Sequence, residues 1–220
     1  MSDMFDNSQL IDELLATVAL TELSPDVFEG ASHDYVGSRI FGGQVLAQAI
    51  MAASHTLNED KPCHSLHGYF LRGGDIKQPV IYQVRRLRDG RSLSAREVTA
   101  IQHKQVKGKE PIEQVIFSMI ASFSPAEEGL EYQESMPVYP PPEDLASEQE
   151  LKDEHVGKVP DALKARFMRR RHVEIKPVKP RDPINPTPMK PKQANWLRIR
   201  ELGNQPVAIQ QALLAFSSDF

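Results

Sequence analysis

The chain has 220 residues, with 26 Lys+Arg against 30 Asp+Glu, a formal net charge of −4 at neutral pH with uncharged histidines. That balance argues against a nucleic-acid or polybasic membrane binder. Forty per cent hydrophobic and 25% charged residues are ordinary globular composition, enough for at least one core, and the length fits one domain with a long appendage or one and a half.

Cys63 is the single cysteine, which excludes an intramolecular disulfide framework and a cysteine-based zinc cluster. It reads as a small buried hydrophobe in an intracellular chain. The first ten residues, MSDMFDNSQL, have no basic start or apolar core of a secretory signal, and no window of about 18 apolar residues marks a membrane span. The last residues, Ser217-Ser218-Asp219-Phe220, are not a peroxisomal Ser-Lys-Leu address.

In chain order, Ser8 is placed to cap a helix with Leu10, Ile11, Leu14, Leu15 and Val18 on one stripe. Val27 to Gly30 reads as a short strand. Ser38-Arg39-Ile40-Phe41-Gly42-Gly43 then leads into a helix over Gln44 to Ser54, apolar nearly all round and therefore expected to be buried. Four strand-like runs follow, His64–Leu71, Val80–Leu87, Ser92–Gln102 and Glu113–Phe123. Asp89-Gly90 marks a hairpin between the second and third, and the polar Lys104 to Glu110 loop precedes the fourth. This pattern predicts an α+β domain with an antiparallel sheet around a central helix, the plan of a hotdog domain.

Eleven of the 17 prolines lie between Pro137 and Pro191. Such spacing forbids long helices and central strands, so the segment reads as an extended connector with a helical interlude over Glu148 to Met168, broken at Pro160. After it, Asn195–Arg200 alternates as a strand, Gly203-Asn204 turns, and Ala208–Phe216 restarts a helical apolar pattern. That order repeats the beginning of the first unit without its sheet. The expected division is a first domain over 1–130, a Pro-rich connector with one helical segment over 131–192, and the start of a second, similar unit over 193–220, which the resemblance described below makes two hotdogs.

Gly42-Gly43 before a buried helix can either present free N–H groups to an oxyanion or phosphate, or let the helix approach the sheet closely. His64 and His67 point to opposite faces of a strand and cannot share a metal; no third ligand has a suitable spacing. No Gly-x-Ser-x-Gly elbow is present and no covalent nucleophile is visible. The Arg169-Arg170-Arg171-His172 run fits phosphates or a merely solvated helix end. Asp219 closes an apolar run, where a carboxylate is costly unless paired or used; the bland alternative is a helix that ends there with Asp219 exposed.

Phe41-Gly42-Gly43-Gln44, His64-Ser65-Leu66-His67-Gly68-Tyr69-Phe70, Arg72-Gly73-Gly74-Asp75, Met136-Pro137 to Glu143, Glu174-Ile175-Lys176-Pro177-Val178 and Pro191-Lys192-Gln193 to Arg200 resemble the acyl-CoA thioesterase II family, especially its peroxisomal branch. The resemblance implies a double hotdog with joined sheets, hydrolysis of fatty acyl-CoA to free acid and coenzyme A, and a peroxisomal location. It also implies association through hotdog sheets into a homo-oligomer, no nucleic acid, no membrane insertion, and no metal or cofactor.

Its catalytic constellation is an Asp, a Ser or Thr, and a Gln. Asp219 matches the first, and this chain has no residue at the other two positions. One complete hotdog plus the beginning of a C-terminally truncated second one is therefore expected. Leu213, Leu214 and Phe216 would be exposed on a helix without its sheet, and the 220 residues alone would show little or no turnover. A rival reading is a non-catalytic assembly or acyl-binding module.

Overall fold

The computed structural model describes residues 7–220 except 38, 59, 60, 107 and 109. Ser38 before the central helix and two positions of the Lys104 to Glu110 loop therefore lie outside the described residues. Among the described residues two compact units are present, one drawn from residues 12–129 and 203–220 and the other from residues 7–11 and 130–202.

The larger unit is the hotdog. Strands β1 (Leu20–Ser24), β2 (Val27–Gly30), β3 (Cys63–Phe70), β4 (Val80–Asp89), β5 (Ser94–Lys104) and β6 (Ile112–Phe123) form one sheet in the order β1-β2-β4-β5-β6-β3. Every pairing is antiparallel. The period-2 pattern sends Tyr82, Val98, Phe117, Met119 and Phe123 to one face, where they are fully buried. Burying each large apolar side chain is worth about 1.5–3 kcal/mol. Against that face lies helix α2 (Gly42–His55), buried from Gly43 through Ala53 except at Leu46.

Three polar devices fix this core. Arg96 is fully buried and satisfied by Thr56 Oγ1 (2.7 Å), Thr56 O (3.2 Å), Arg88 O (2.9 Å) and the Asp89 carboxylate (2.5 Å). Thr56 caps the C-terminus of α2, where a cation suits the negative end of the helix. Gln48 donates to Thr17 O and Ala31 O and accepts from Tyr82 Oη at 2.7 Å. Lys61 donates to Gly90 O at 2.8 Å.

Several expectations are corrected. Ser8, expected just before the first helix, lies inside α1 (Asn7–Val18). Strand β1 had no sequence signal because it is an exposed edge carrying Thr21, Glu22 and Ser24, with no apolar alternation to read. The β4–β5 hairpin forms as expected, with its turn two residues later than the expected Arg88 to Arg91: Asp89 pairs with Ser94, so Gly90 to Leu93 make the turn. Gly90 N–H closes it on Leu93 O at 2.9 Å. Cys63 is half-buried rather than enclosed.

Residues 130–202 hold more structure than one helical interlude. Ser147 begins α3 (Glu148–His155) with a capping box completed by Glu150. Pro160 separates it from α4 (Asp161–Phe167). Strand β7 (Glu174–Pro177) pairs with β8 (Asn195–Arg198) in a two-stranded antiparallel sheet, and Ile175 and Val173 are buried. Prolines cannot donate but their carbonyls accept: Trp196 Nε1 donates to Pro140 O at 3.0 Å and Lys176 Nζ to Pro142 O at 2.8 Å. The division between connector and second-hotdog start at 192/193 is not where contacts divide: β8 stays with β7, and the segment after Leu202 belongs to the hotdog unit.

Candidate active site

Helix α5 (Val207–Ser217) begins after Pro206 and runs antiparallel along α2. The Gln211 amide clamps the backbone of Cys63 at the other end of α2: Gln211 Oε1 accepts from Cys63 N–H and Gln211 Nε2 donates to Cys63 O, both at 2.8 Å. The expected exposure of Leu213 and Phe216 is overturned. They are 1% and 0% exposed, because α2 covers that face of α5. Leu214 points away and is 71% exposed. Phe216 is also enclosed by rings, with centroids of Tyr35 and Phe41 each 5.1 Å away and Phe220 at 5.8 Å. Such pairs add about 0.5–1.5 kcal/mol each beyond area burial. Burial in this cluster pushes the Tyr35 phenol up to about 12, against the opposing bond to Thr17.

The glycine pair is what allows the contact. A Cβ on Gly43 would stand 2.3 Å from the Phe216 carbonyl oxygen, and one on Gly42 would stand 2.7 Å from Asp219 Oδ2. The close approach is therefore to α5, not to the sheet as the sequence reading had it.

The other reading, of N–H groups at the start of the helix without an internal partner, meets a carboxylate of this same chain. The first amides of a helix have no acceptor inside it, and Gly43 N–H donates to Asp219 Oδ2 at 2.9 Å. Asp219 lies two residues beyond the end of α5 and its residue surface is exposed. Of the two readings of Asp219, the structure shows the helix ending before an exposed residue: α5 stops at Ser217, and Ser218 N–H closes the last turn on Leu214 O and Ala215 O. An anion is disfavoured at the C-terminus of α5 and favoured at the N-terminus of α2, so the carboxylate turns to the latter.

Asp219 opens onto a cleft of about 380 Å³ whose walls are Ile40, Val45, Phe70, Leu71, Ile116 and Phe117. Arg39, Arg72 and the glycines Gly42, Gly73 and Gly74 complete the lining. Among the described residues, no serine, threonine or glutamine lines it. The arrangement offers an apolar surface, one carboxylate and helix-start amides, the elements needed to hold an apolar acyl group and present water to its carbonyl.

Other candidates lie elsewhere. His64 and His67 are both exposed, and the His67 ring packs on Tyr69 with centroids 4.9 Å apart. Among the described residues no group of three His, Cys, Asp or Glu is placed to hold a metal, and no helix is long and apolar enough to cross a membrane. Burial pushes the Cys63 thiol up, away from the reactive thiolate. In the Arg169–His172 run, Arg171 pairs with Glu148 at 2.8 Å, which also takes Lys152 at 2.8 Å; the run is part of an ion-pair network within residues 130–202. Arg39, Arg72 and Gln211 had no signal as site residues in the sequence, because their roles depend on contacts between distant segments.

Residues 31–124 match the family model of the acyl-CoA thioesterase N-terminal domain. The chain is 36% identical over 213 residues to acyl-CoA thioesterase 2 of Haemophilus influenzae, covering 97% of this chain and 71% of that protein. The chain belongs to the acyl-CoA thioesterase II family. It is also 39% identical over 216 residues to human acyl-coenzyme A thioesterase 8, covering 94% of this chain and 65% of the relative. A crystal structure of an acyl-CoA thioesterase II from Mycobacterium marinum superposes with a TM-score of 0.66 at 33% identity, over 94% of this chain and 68% of that one. The chain thus spans about two thirds of the length of these thioesterases. Hydrolysis of acyl-CoA is the family's function, and the hotdog described above is its fold.

Proposed function

We propose that this chain hydrolyses fatty acyl-CoA thioesters to free acid and coenzyme A, with Asp219 as the general base or the group that orients the attacking water. One observation carries the assignment: the Asp219 carboxylate is held 2.9 Å from Gly43 N–H at the mouth of an apolar cleft.

In this reading the acyl chain lies along Val45, Phe70, Ile116 and Phe117. Asp219 accepts a proton from water as its oxygen bonds to the thioester carbonyl carbon. The oxyanion faces amides at the start of α2, where Gly42 supplies the first N–H of the helix. Collapse breaks the C–S bond, and the thiolate leaves with the proton that Asp219 took. The resemblance assigns fixing of the water to a Ser or Thr and a Gln as well, and among the described residues the cleft lining holds neither. Positioning supplies a large part of such rates, so turnover by these 220 residues is slow.

Association through sheet edges is part of the proposal. β3 is an edge strand, and Tyr69 and Phe70 on it are 64% and 54% exposed; an unpaired edge of this kind is a template for a second sheet. The peroxisomal location that the resemblance implies is likewise proposed, and microscopy of the tagged protein in cells reads it out.

Release of free thiol from lauroyl-CoA and palmitoyl-CoA tests the function. The expected result is Asp219-dependent release. Binding of acyl-CoA with no hydrolysis by the wild type would favour the acyl-binding module instead.

A further inference from the structure

The cleft at the start of α2 carries two arginines for which the reaction itself has no use. Ile40 N–H donates to Gly74 O at 3.1 Å, tying the segment before α2 to the segment after β3. Arg39 packs against Gly73 beside that tie: a Cβ on Gly73 would stand 3.0 Å from Arg39 Cδ and 3.2 Å from its Nε. Glycine at 73 thus leaves room for the guanidinium. Among the described residues, the Arg39 side chain has no carboxylate partner.

Arg72 is fixed by other means. Its N–H donates to Ile116 O at 3.1 Å and its Nη1 to Val115 O at 2.9 Å. One bond to a carbonyl anchors the guanidinium and leaves most of its donors for a ligand. Both arginines are exposed, both line the cleft, and among the described residues Asp219 is the one carboxylate in that lining.

We propose that Arg39 and Arg72 form a phosphate-binding rim that selects thioesters whose thiol half is polyanionic, an inference that rests on the acyl-CoA reading above. The apolar wall meets the same acyl chain whatever thiol carries it, so it cannot tell coenzyme A from an uncharged thiol. Guanidinium forks match phosphate oxygens in pairs, and a preorganised fork loses little freedom on binding. Neither arginine acts on the carbonyl, so their effect falls on affinity. Exposed charges of this kind also weaken with salt.

The test uses the full 220-residue chain and thioethers, which cannot be hydrolysed: S-dodecyl-CoA, S-dodecyl-3′-dephospho-CoA and S-dodecyl-pantetheine, titrated by calorimetry at low and high salt. The wild type binds S-dodecyl-CoA about tenfold or more tighter than the pantetheine compound, the scale of one or two charge-assisted bonds. High salt shrinks that advantage. The double variant Arg39→Gln/Arg72→Gln loses it while binding of the pantetheine compound stays unchanged, and Arg39→Lys/Arg72→Lys restores part of it. The dephospho compound separates the two phosphate sources: an advantage lost with it assigns the rim to the 3′-phosphate, and one retained assigns it to the pyrophosphate. Equal wild-type affinity for the CoA and pantetheine compounds, or an advantage that survives Arg39→Gln/Arg72→Gln, would overturn the proposal. Failure of all three thioethers to bind the wild type would instead remove the acyl-CoA reading on which it rests.

Discussion

Gly43 and Phe216 meet backbone to backbone: the site of a Cβ on Gly43 is 2.3 Å from the Phe216 carbonyl oxygen. Because that oxygen belongs to a helix backbone, it cannot swing aside. Gly43→Ala must push α5 away from α2, and overpacking of this kind costs about 1–3 kcal/mol. Urea denaturation followed by far-UV circular dichroism measures it. Gly42→Ala is the informative contrast, since its methyl would meet the Asp219 carboxylate at 2.7 Å and the Phe70 ring at 3.0 Å, both ends of side chains that can move. It is expected to lower hydrolysis with a smaller loss of stability. Equal stability loss in the two variants would count against the backbone contact.

Arg96 should be among the costliest single positions in the hotdog. Arg96→Ala leaves the Thr56 and Arg88 carbonyls without their buried donor, opens a cavity, and removes the cation from the end of α2. Breaking buried charged pairs of this kind costs about 3–5 kcal/mol. The expected outcome is a large fall in the urea midpoint. Asp89→Asn is expected to cost less, because the Asp89 side chain is 44% exposed and water can replace part of what is lost.

Acid should loosen residues 130–202. Burial pushes Glu174 up, but bonds from Arg200 and Arg198 outweigh it and hold the carboxyl below its ordinary value. Glu148 is likewise raised by burial and lowered further by Lys152 and Arg171. A carboxylate depressed in the folded state contributes stability that is fully present above its unfolded value and is lost as pH falls through the folded one. Trp196, the single tryptophan, sits on β8 beside this network and reports it by fluorescence. The change on acidification should shrink in Glu174→Gln. An identical acid profile in that variant would contradict the assignment.

How far the sequence could be read depended on the range of the contacts. The buried helix over Gly43 to Ala53 and the strands β4, β5 and β6 follow from periodicity, because each pattern is written within its own residues. Burial of Leu213 and Phe216 was not legible: their apolar stripe says that something covers them, and α2, far away in the chain, is what does. The clamp of Gln211 on Cys63 spans 148 residues and leaves no local trace. Asp219 stood out as a charge on an apolar run, yet its role came from family resemblance, and its turn onto Gly43 came from the fold.

The central claim is that the carboxylate held by Gly43 performs the hydrolysis. The rate of free thiol release from lauroyl-CoA by the wild-type chain and by Asp219→Asn, with S-dodecyl-CoA affinity measured in parallel, tests it directly. The account predicts slow release by the wild type that falls to the uncatalysed rate in Asp219→Asn, while thioether affinity is retained. Release that survives Asp219→Asn, or wild-type release no faster than the uncatalysed reaction, would contradict it.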